Sequence, residues 1–275
     1  MNRLWNACRH LLMASALLSG TAQAQVSVIG DLSHDNQARP GETYGGEIVV
    51  RNDLAEVQDA KIYQTDYSFT ADGKNNYGEA GTLPRSNARW VKFNPSFITI
   101  PPQGSVTVSY TVTVPASAPG KDLSGTYWSM LMVEGIAKES PESSGAPKNK
   151  QPEMGLRQTL RYGIQIATHI AGTGTKRVNF TEPKLSRRSD GSAVLQVDLE
   201  DSGTLGFRPD VYVELFDSGG ASKGKFPGTL FRMYPGTSVR QLIDLGPIPS
   251  GSYKALVVVD AGGDDVFGAQ YNLQF

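Results

Sequence analysis

The chain has 275 residues, and its 26 basic and 27 acidic side chains leave a formal net charge of −1. Without a basic excess, the sequence offers no electrostatic footprint for a nucleic-acid backbone. Its single cysteine, Cys8, excludes an internal disulfide and a zinc site built on several cysteines. The length is sufficient for two domains, each with its own core.

Residues 1–24 have the features of a secretory signal peptide. Arg3 and Arg9 form a basic region, residues 11–18 form an apolar run too short to cross a bilayer, and Ala-Gln-Ala at 22–24 fits a cleavage site. We expect cleavage near Ala24 and a mature protein in the periplasm or otherwise outside the cytoplasm. Cleavage removes the cysteine and two of the 26 basic residues, which leaves 24 against 27 acidic residues and a net charge of −3.

Short apolar segments separated by turn residues predict β-strands in the first half of the mature chain. The predicted strands are residues 43–50, 61–69, 106–114, 126–133 and 160–170. Residues 106–114 alternate without interruption, which predicts that Val108, Tyr110 and Val112 point into a core. His34, which precedes these strands, is placed in a polar turn.

The segment at 126–133 is apolar at nearly every position, as expected for a central strand. Its neighbouring aromatics Tyr127 and Trp128 must point to opposite faces. One is expected in the core, and the other is either exposed or packed against a second domain.

A polar stretch at residues 137–155 interrupts the strand pattern. It is rich in proline, serine, lysine and glutamate, so it cannot bury enough apolar surface to order itself, and we interpret it as a mobile loop. It is either a long hairpin connection within the first domain or an interdomain linker. The first is favoured because the strand at 160–170 would otherwise have no sheet to join.

The predicted domain boundary lies at residues 172–175, so domain one spans 25–172 and domain two spans 176–275. Domain two shows seven further strand segments, at 178–185, 192–199, 211–216, 229–233, 238–245, 252–259 and 266–275. That number of short strands in about 100 residues is typical of an immunoglobulin-like domain. The predicted fold class is all-β, with two immunoglobulin-like β-sandwich domains in tandem.

Signals for catalysis or metal binding are weak. His34 and His169 are not spaced as a metal-binding pair, and no Gly-x-Ser-x-Gly motif is present. Residues 260–265 (Asp-Ala-Gly-Gly-Asp-Asp) are either calcium ligands or a turn, and we favour the turn because the oxygens are too few for a coordination shell. We assign no catalytic, cofactor-binding or metal-binding residue and expect no cofactor.

Several stretches, taken in order, resemble a known family. They are residues 39–43 (Arg-Pro-Gly-Glu-Thr), 90–101, 125–128 (Gly-Thr-Tyr-Trp), 201–203, 211–219 and 251–253. Together they resemble the WxL-interacting proteins and, more distantly, the periplasmic pilus chaperones, over nearly the whole mature chain. The resemblance implies a non-enzymatic protein-binding protein: pilus chaperones hold a pilin subunit by strand pairing, and WxL-interacting proteins are surface adaptors.

One departure from the chaperone pattern concerns basic residues. Pilus chaperones anchor their client's carboxylate with a basic pair, one member on the first strand of domain one and one on its last strand. Residues 26–30 contain no basic residue, which argues against that anchoring mechanism. Arg157 and Arg161, at the last strand, are kept as candidate partner-binding residues.

The strand at 160–170 is the candidate partner-binding site. Its row of Leu160, Tyr162, Ile164 and Ile166 either packs only into the core or also borders an open edge where a partner strand adds. Gly163 would permit a close backbone approach, and Gln165 is predicted to face solvent.

The expected function is an exported chaperone or assembly factor, as in pilus assembly, that binds another exported or surface protein by β-strand addition. The alternative is a cell-surface adaptor or adhesin-like scaffold that binds a folded partner or a glycan. We expect no nucleic-acid partner and no transmembrane segment in the mature chain, since no later stretch reaches the ~18 apolar residues of a membrane helix.

Overall fold

A computed structural model describes residues 26–117, 122–136 and 159–275. The predicted signal peptide, the predicted loop at 137–155 and Arg157 lie outside these residues. The described chain is all-β apart from a 3₁₀ turn at Ala88–Trp90. No helix in these three ranges has the length and hydrophobicity that a bilayer crossing requires.

The first sandwich contains ten strands. They are β1 (Ser27–Ile29), β2 (Ser33–Ala38), β3 (Thr43–Arg51), β4 (Gln58–Phe69), β5 (Asn75–Gly78), β6 (Val91–Asn94), β7 (Phe97–Ile100), β8 (Ser105–Thr113), β9 (Thr126–Ile136) and β10 (Arg161–Ile170). One sheet has the order β1-β3-β8-β6, and the other has the order β2-β10-β9-β4-β5, with β7 also paired to β4. The central position of β9 and the position of β10 as last strand match the sequence prediction.

The core of this sandwich lies between the two sheets. Val108 and Val112 are fully buried, and Tyr110 is 3% exposed, which confirms the predicted core face of β8. The ring of Tyr110 lies over Gly46, its register partner on β3. Burial raises the pKa of the Tyr110 hydroxyl to about 12.

The chain changes sheets near its start. β1 pairs antiparallel with β3, the chain turns at Gly30 with φ +97°, and β2 then pairs parallel with β10 in the other sheet. His34 lies in β2, so its predicted place in a polar turn is wrong. The sequence pattern missed β2 because this strand is held by backbone pairing and polar contacts, including a 2.8 Å hydrogen bond between His34 Nδ1 and the Tyr110 hydroxyl, and not by apolar alternation.

The second sandwich contains eight strands. They are β11 (Val178–Phe180), β12 (Lys184–Arg187), β13 (Ala193–Asp201), β14 (Asp210–Asp217), β15 (Ser222–Pro227), β16 (Ser238–Gly246), β17 (Ser252–Asp260) and β18 (Val266–Gln274). β11, β12 and β16 pair with β13 in one sheet, and the other sheet has the order β15-β14-β17-β18. The two sandwiches have separate cores, which confirms the predicted fold class.

Three details of the second sandwich differ from the sequence prediction or refine it. The single strand predicted at 178–185 is two strands on the same side of β13, and the strand predicted at 229–233 is one isolated bridge between Phe207 and Met233. β15 was not predicted. The turn interpretation of residues 260–265 is confirmed, because Gly262 has φ +81° and donates its N–H to Asp260 Oδ1 (2.9 Å).

The contact between Gly46 and Tyr110 generates a testable prediction. A Cβ at position 46 would lie 2.6 Å from Tyr110 Cζ, so Gly46→Ala is expected to cost about 1–3 kcal/mol by overpacking. Tyr110→Ala alone is expected to cost about 3–5 kcal/mol. In the double variant the clash is absent, and Gly46→Ala should then cost little. Urea unfolding of the four proteins measures the cycle; strictly additive costs would contradict the contact.

Candidate strand-docking site

Backbone groups of alternate residues along β10 point to its two different edges. The N–H of Gln165 donates to the carbonyl of Leu32 beside β2 (2.9 Å), and the N–H of Ile170 donates to the carbonyl of Gly125 beside β9 (2.8 Å). Odd-numbered residues of β10 therefore direct their N–H and C=O groups toward the β2 edge, and even-numbered residues direct theirs toward β9.

The β2 edge of β10 is covered over only part of its length. β9 pairs with β10 from Arg161 onward, but the β2 register begins at Gln165. No described strand pairs with the other edge of residues 161–164, which we call the open β10 segment. Arg161 and Gly163 direct their backbone N–H and C=O groups to this edge.

Exposed apolar side chains lie on the segments that flank the open β10 segment. Ile29 ends β1, and Leu32 immediately precedes β2; they are 48% and 43% exposed. Leu160, just before β10, is 36% exposed. An edge with free hydrogen-bonding groups and apolar flanks is the arrangement that accepts an added strand.

The predicted row of site residues divides into two pairs. Ile164 and Ile166 are fully buried in the core between the sheets, so their side chains are not available to a partner. Tyr162 is half-buried against the same core, and Leu160 is exposed. Of this predicted row, only Leu160 and the exposed part of Tyr162 can contact a strand added at the open β10 segment.

Arg161 is engaged by a neighbouring carboxylate. Its Nε lies 3.0 Å from Glu134 Oε2, and Lys61 Nζ lies 3.6 Å from Glu134 Oε1. The Tyr63 hydroxyl donates to Glu134 Oε2 (2.7 Å), and burial together with this hydrogen bond raises the pKa of Tyr63. An anionic group on a partner would therefore compete with Glu134 for Arg161.

The second half of β10 faces the other sandwich. The hydroxyl of Tyr234 donates to Gln165 Oε1 (2.7 Å), so the prediction that Gln165 faces solvent is wrong. Tyr234 is fully buried, and its ring stacks on Trp128 with centroids 4.5 Å apart and planes 4° apart. Trp128 is therefore the aromatic of the Tyr127–Trp128 pair that packs against the second domain.

A polar cluster completes the junction between the sandwiches. Both guanidinium Nη atoms of Arg232 donate to the carboxylate of Asp35 on β2, and His169 Nε2 lies 3.3 Å from Asp35 Oδ1. His169 Nδ1 is hydrogen-bonded to Thr126 Oγ1 (2.8 Å), which accepts the N–H of Gly206 (2.7 Å). Burial opposes ionisation of Asp35, but the hydrogen bonds from His169 and Arg232 outweigh it and lower its pKa.

Tyr234 and Arg232 were not predicted from the sequence as junction residues. Their partners are 69 and 197 residues away. Arg232 lies in the strand predicted at 229–233, and Tyr234 follows it, but a strand prediction does not indicate a contact with the other domain. The short aromatic–basic cluster at residues 231–234 was a signal that the sequence offered. Within the described ranges, no group of three histidine, cysteine, aspartate or glutamate side chains is arranged to hold a metal ion.

A cleft of about 570 Å³ lies between the sandwiches near Asp201. Arg85, Trp128 and Thr237 are among its lining residues. Asp201 is fully buried; its Oδ1 accepts the N–H of Gly203 (2.8 Å), and its Oδ2 has no hydrogen-bond partner among the described residues. Burial raises the pKa of this carboxyl to about 6.

Comparison with solved structures finds pilus chaperones of similar architecture. The class 5 fimbriae chaperone CfaA is 13% identical, with a TM-score of 0.45, over 90% of this chain and 98% of that chain. A chain of the CsuC–CsuE chaperone–tip adhesion subunit complex of Acinetobacter baumannii is 12% identical, with a TM-score of 0.45, over 89% and 98%. The E. coli chaperone DraB is 13% identical, with a TM-score of 0.41, over 91% and 98%.

No protein-family model and no curated protein matches the sequence. At these identities the solved structures do not bear on what this chain binds. The resemblance to WxL-interacting proteins stays a prediction from the sequence.

The pKa of Asp201 predicts a pH-dependent stability. Since the folded-state pKa of about 6 exceeds the ordinary aspartate pKa of 3.8, the folded protein binds this proton more tightly than the unfolded chain does. The stabilisation is complete below the unfolded pKa and is lost as the pH rises through the folded pKa. Wild type should therefore lose of order 1–3 kcal/mol relative to Asp201→Asn between about pH 4 and pH 7.5. Urea unfolding at both pH values measures this; a constant difference between the proteins would refute it.

Proposed function

We propose that this chain is an exported, non-enzymatic chaperone or assembly factor that binds an extended strand of another exported protein at the open β10 segment. The observation that carries the proposal is that no strand among the described residues pairs with the edge of β10 at Arg161 and Gly163, at the end of β10 that the second sandwich does not use. A partner strand placed there would lie beside β10 and follow the line of β2.

The free energy of such binding would come from a few backbone hydrogen bonds and from apolar contacts beside them. Arg161 and Gly163 together offer two donors and two acceptors, each hydrogen bond being worth about 1 kcal/mol net. Exposed Ile29, Leu32 and Leu160 add apolar surface for alternate side chains of the partner strand. Affinity would come from the main chain, and specificity from the side chains that meet these three residues.

The exported location supports a partner in the same compartment. It rests on the predicted signal peptide at residues 1–24, and the pilus-assembly role rests on the family resemblance in the sequence. Under this proposal the client is another exported or surface protein, held while its own strand lacks a partner.

A cell-surface scaffold that binds a folded partner or a glycan is the alternative. Glycan binding favours coplanar exposed rings, but Tyr77, the most exposed described aromatic, is tilted by 32° against its neighbour Tyr67. The geometry therefore favours strand addition over a flat sugar platform.

Proline at position 163 tests the mechanism, with alanine as a matched control. Both substitutions add a Cβ near the end of the flexible Met130 side chain (2.9 Å from its Sδ), but only proline removes the N–H that faces the open edge. Against a purified protein that the wild-type chain retains from a periplasmic extract, Gly163→Pro should weaken binding about 5- to 100-fold relative to Gly163→Ala. Calorimetric titration measures the affinities, and circular dichroism verifies folding.

A second pair, Arg161→Pro and Arg161→Ala, repeats the comparison at the other free donor. If both folded proline variants bind as tightly as their alanine controls, the partner does not add to this edge, and the scaffold function replaces the proposal.

A further inference from the structure

The last strand of the second sandwich has an unpaired edge among the described residues. β18 pairs with β17 without a register shift, and Phe275 exchanges two backbone hydrogen bonds with Gly251 (3.2 and 2.9 Å). Odd-numbered residues therefore direct their backbone groups to β17. Even-numbered residues direct theirs to the free edge: Val266, Gly268, Gln270, Asn272 and Gln274.

This edge lacks the features that keep sheet edges from pairing. Residues 266–275 contain no charged residue and no proline, and the strand has no bulge. Other long edge strands of the described chain are charged; β15 carries Lys223 and Lys225, and β16 carries Arg240. The uncharged edges β1, β5, β7 and β11 are only three or four residues long.

We propose that β18 pairs antiparallel with β18 of a second copy of this chain, around a two-fold axis at Gln270. In this register Gln270 faces Gln270 of the copy, Gly268 faces Asn272, and Val266 faces Gln274. All five outward-facing residues are used. The Val266 N–H already donates to the carbonyl of Asp264 (3.2 Å), so the register allows eight backbone hydrogen bonds between the copies. A shift of two residues in either direction would lose one of these pairs of residues.

The side chains of β18 favour a second copy as the occupant. In a two-fold pairing, a charged residue near the axis would lie close to the same residue of the other copy, and the two like charges would repel each other. β18 contains no charged residue. On the inner face, half-buried Phe267 would lie opposite Leu273 of the copy, and Ala269 opposite Tyr271. Binding of a strand from a different protein would require charged groups or pockets on β18 that select it. The five residues that face the free edge carry no charge that could do so. The proposed dimer uses β18 of the second sandwich, whereas the open β10 segment lies on the first sandwich. The dimer proposal therefore does not depend on the proposed function.

Cysteine cross-linking tests the register. Gln270→Cys, made with Cys8→Ser, places two thiols on directly opposed residues, whose Cα atoms at about 5.5 Å lie within disulfide range. Asn272→Cys is the matched control on the same face, because the two copies of residue 272 are separated by roughly 14 Å along the strand. Mild oxidation should give a covalent dimer with Gln270→Cys and not with Asn272→Cys.

Sedimentation equilibrium of the uncross-linked protein measures the dimer itself. Gln270→Lys places like charges opposite one another and should raise the dimer Kd by about tenfold or more. Thr107→Lys adds the same charge at an exposed position of β8, which lies in the first sandwich and not at this edge, and should leave the Kd unchanged. A monomeric wild type, equal cross-linking at position 272, open-ended aggregates, or a dimer indifferent to Gln270→Lys would each overturn the proposal.

Discussion

The change of sheet near the start of the chain determines which backbone groups stay available in the first sandwich. Gly30 adopts φ +97°, a conformation that a residue with a Cβ reaches only under strain. Because the chain needs residues 30–32 to cross, β2 cannot reach β10 before Gln165. The open β10 segment therefore results from the crossing of the chain from β1 in one sheet to β2 in the other.

β10 consequently serves two purposes along its length. Its second half is fixed by β2 on one edge, by β9 on the other, and by Tyr234 through the side chain of Gln165. The ion pair between Asp35 and Arg232 links β2 itself to the second sandwich. Loss of either partner would leave a partly buried charge uncompensated, which costs more than the pair contributes. The covered half of β10 is therefore held by strand pairing on both edges and by contacts with the second sandwich, whereas the uncovered half is paired only with β9 among the described strands.

The pattern of apolar and polar residues in the sequence predicted many of the strands, because the strands that face a core have to bury apolar side chains. β8, β9, β13 and β17 each bury a face or both faces against a core, so their apolar residues are visible as a period of two or as a continuous run. β2 and β15 have the sequences Ser-His-Asp-Asn-Gln-Ala and Ser-Lys-Gly-Lys-Phe-Pro and lie at sheet edges, where pairing of the backbone suffices. Local patterns do not show such strands.

The candidate site was predictable only in part. The sequence pattern pointed to the same strand as the open backbone edge, but it could not show that Ile164 and Ile166 are core residues, that Glu134 engages Arg161, or that Gln165 faces Tyr234. Each of these facts depends on a contact between segments distant in sequence. The length of the free edge follows from where β2 begins, which no local pattern indicates.

Amide hydrogen exchange of the native protein tests most directly the claim that this edge is open. The amides of Arg161 and Gly163 should exchange at least about a hundredfold faster than those of Tyr162, Ile164 and Gln165, which donate to neighbouring strands. Such an alternating pattern within one strand identifies a free edge, because fraying would expose all five amides. Equal, strong protection at Arg161 and Gly163 would show that another part of the chain already covers the edge and would contradict the account.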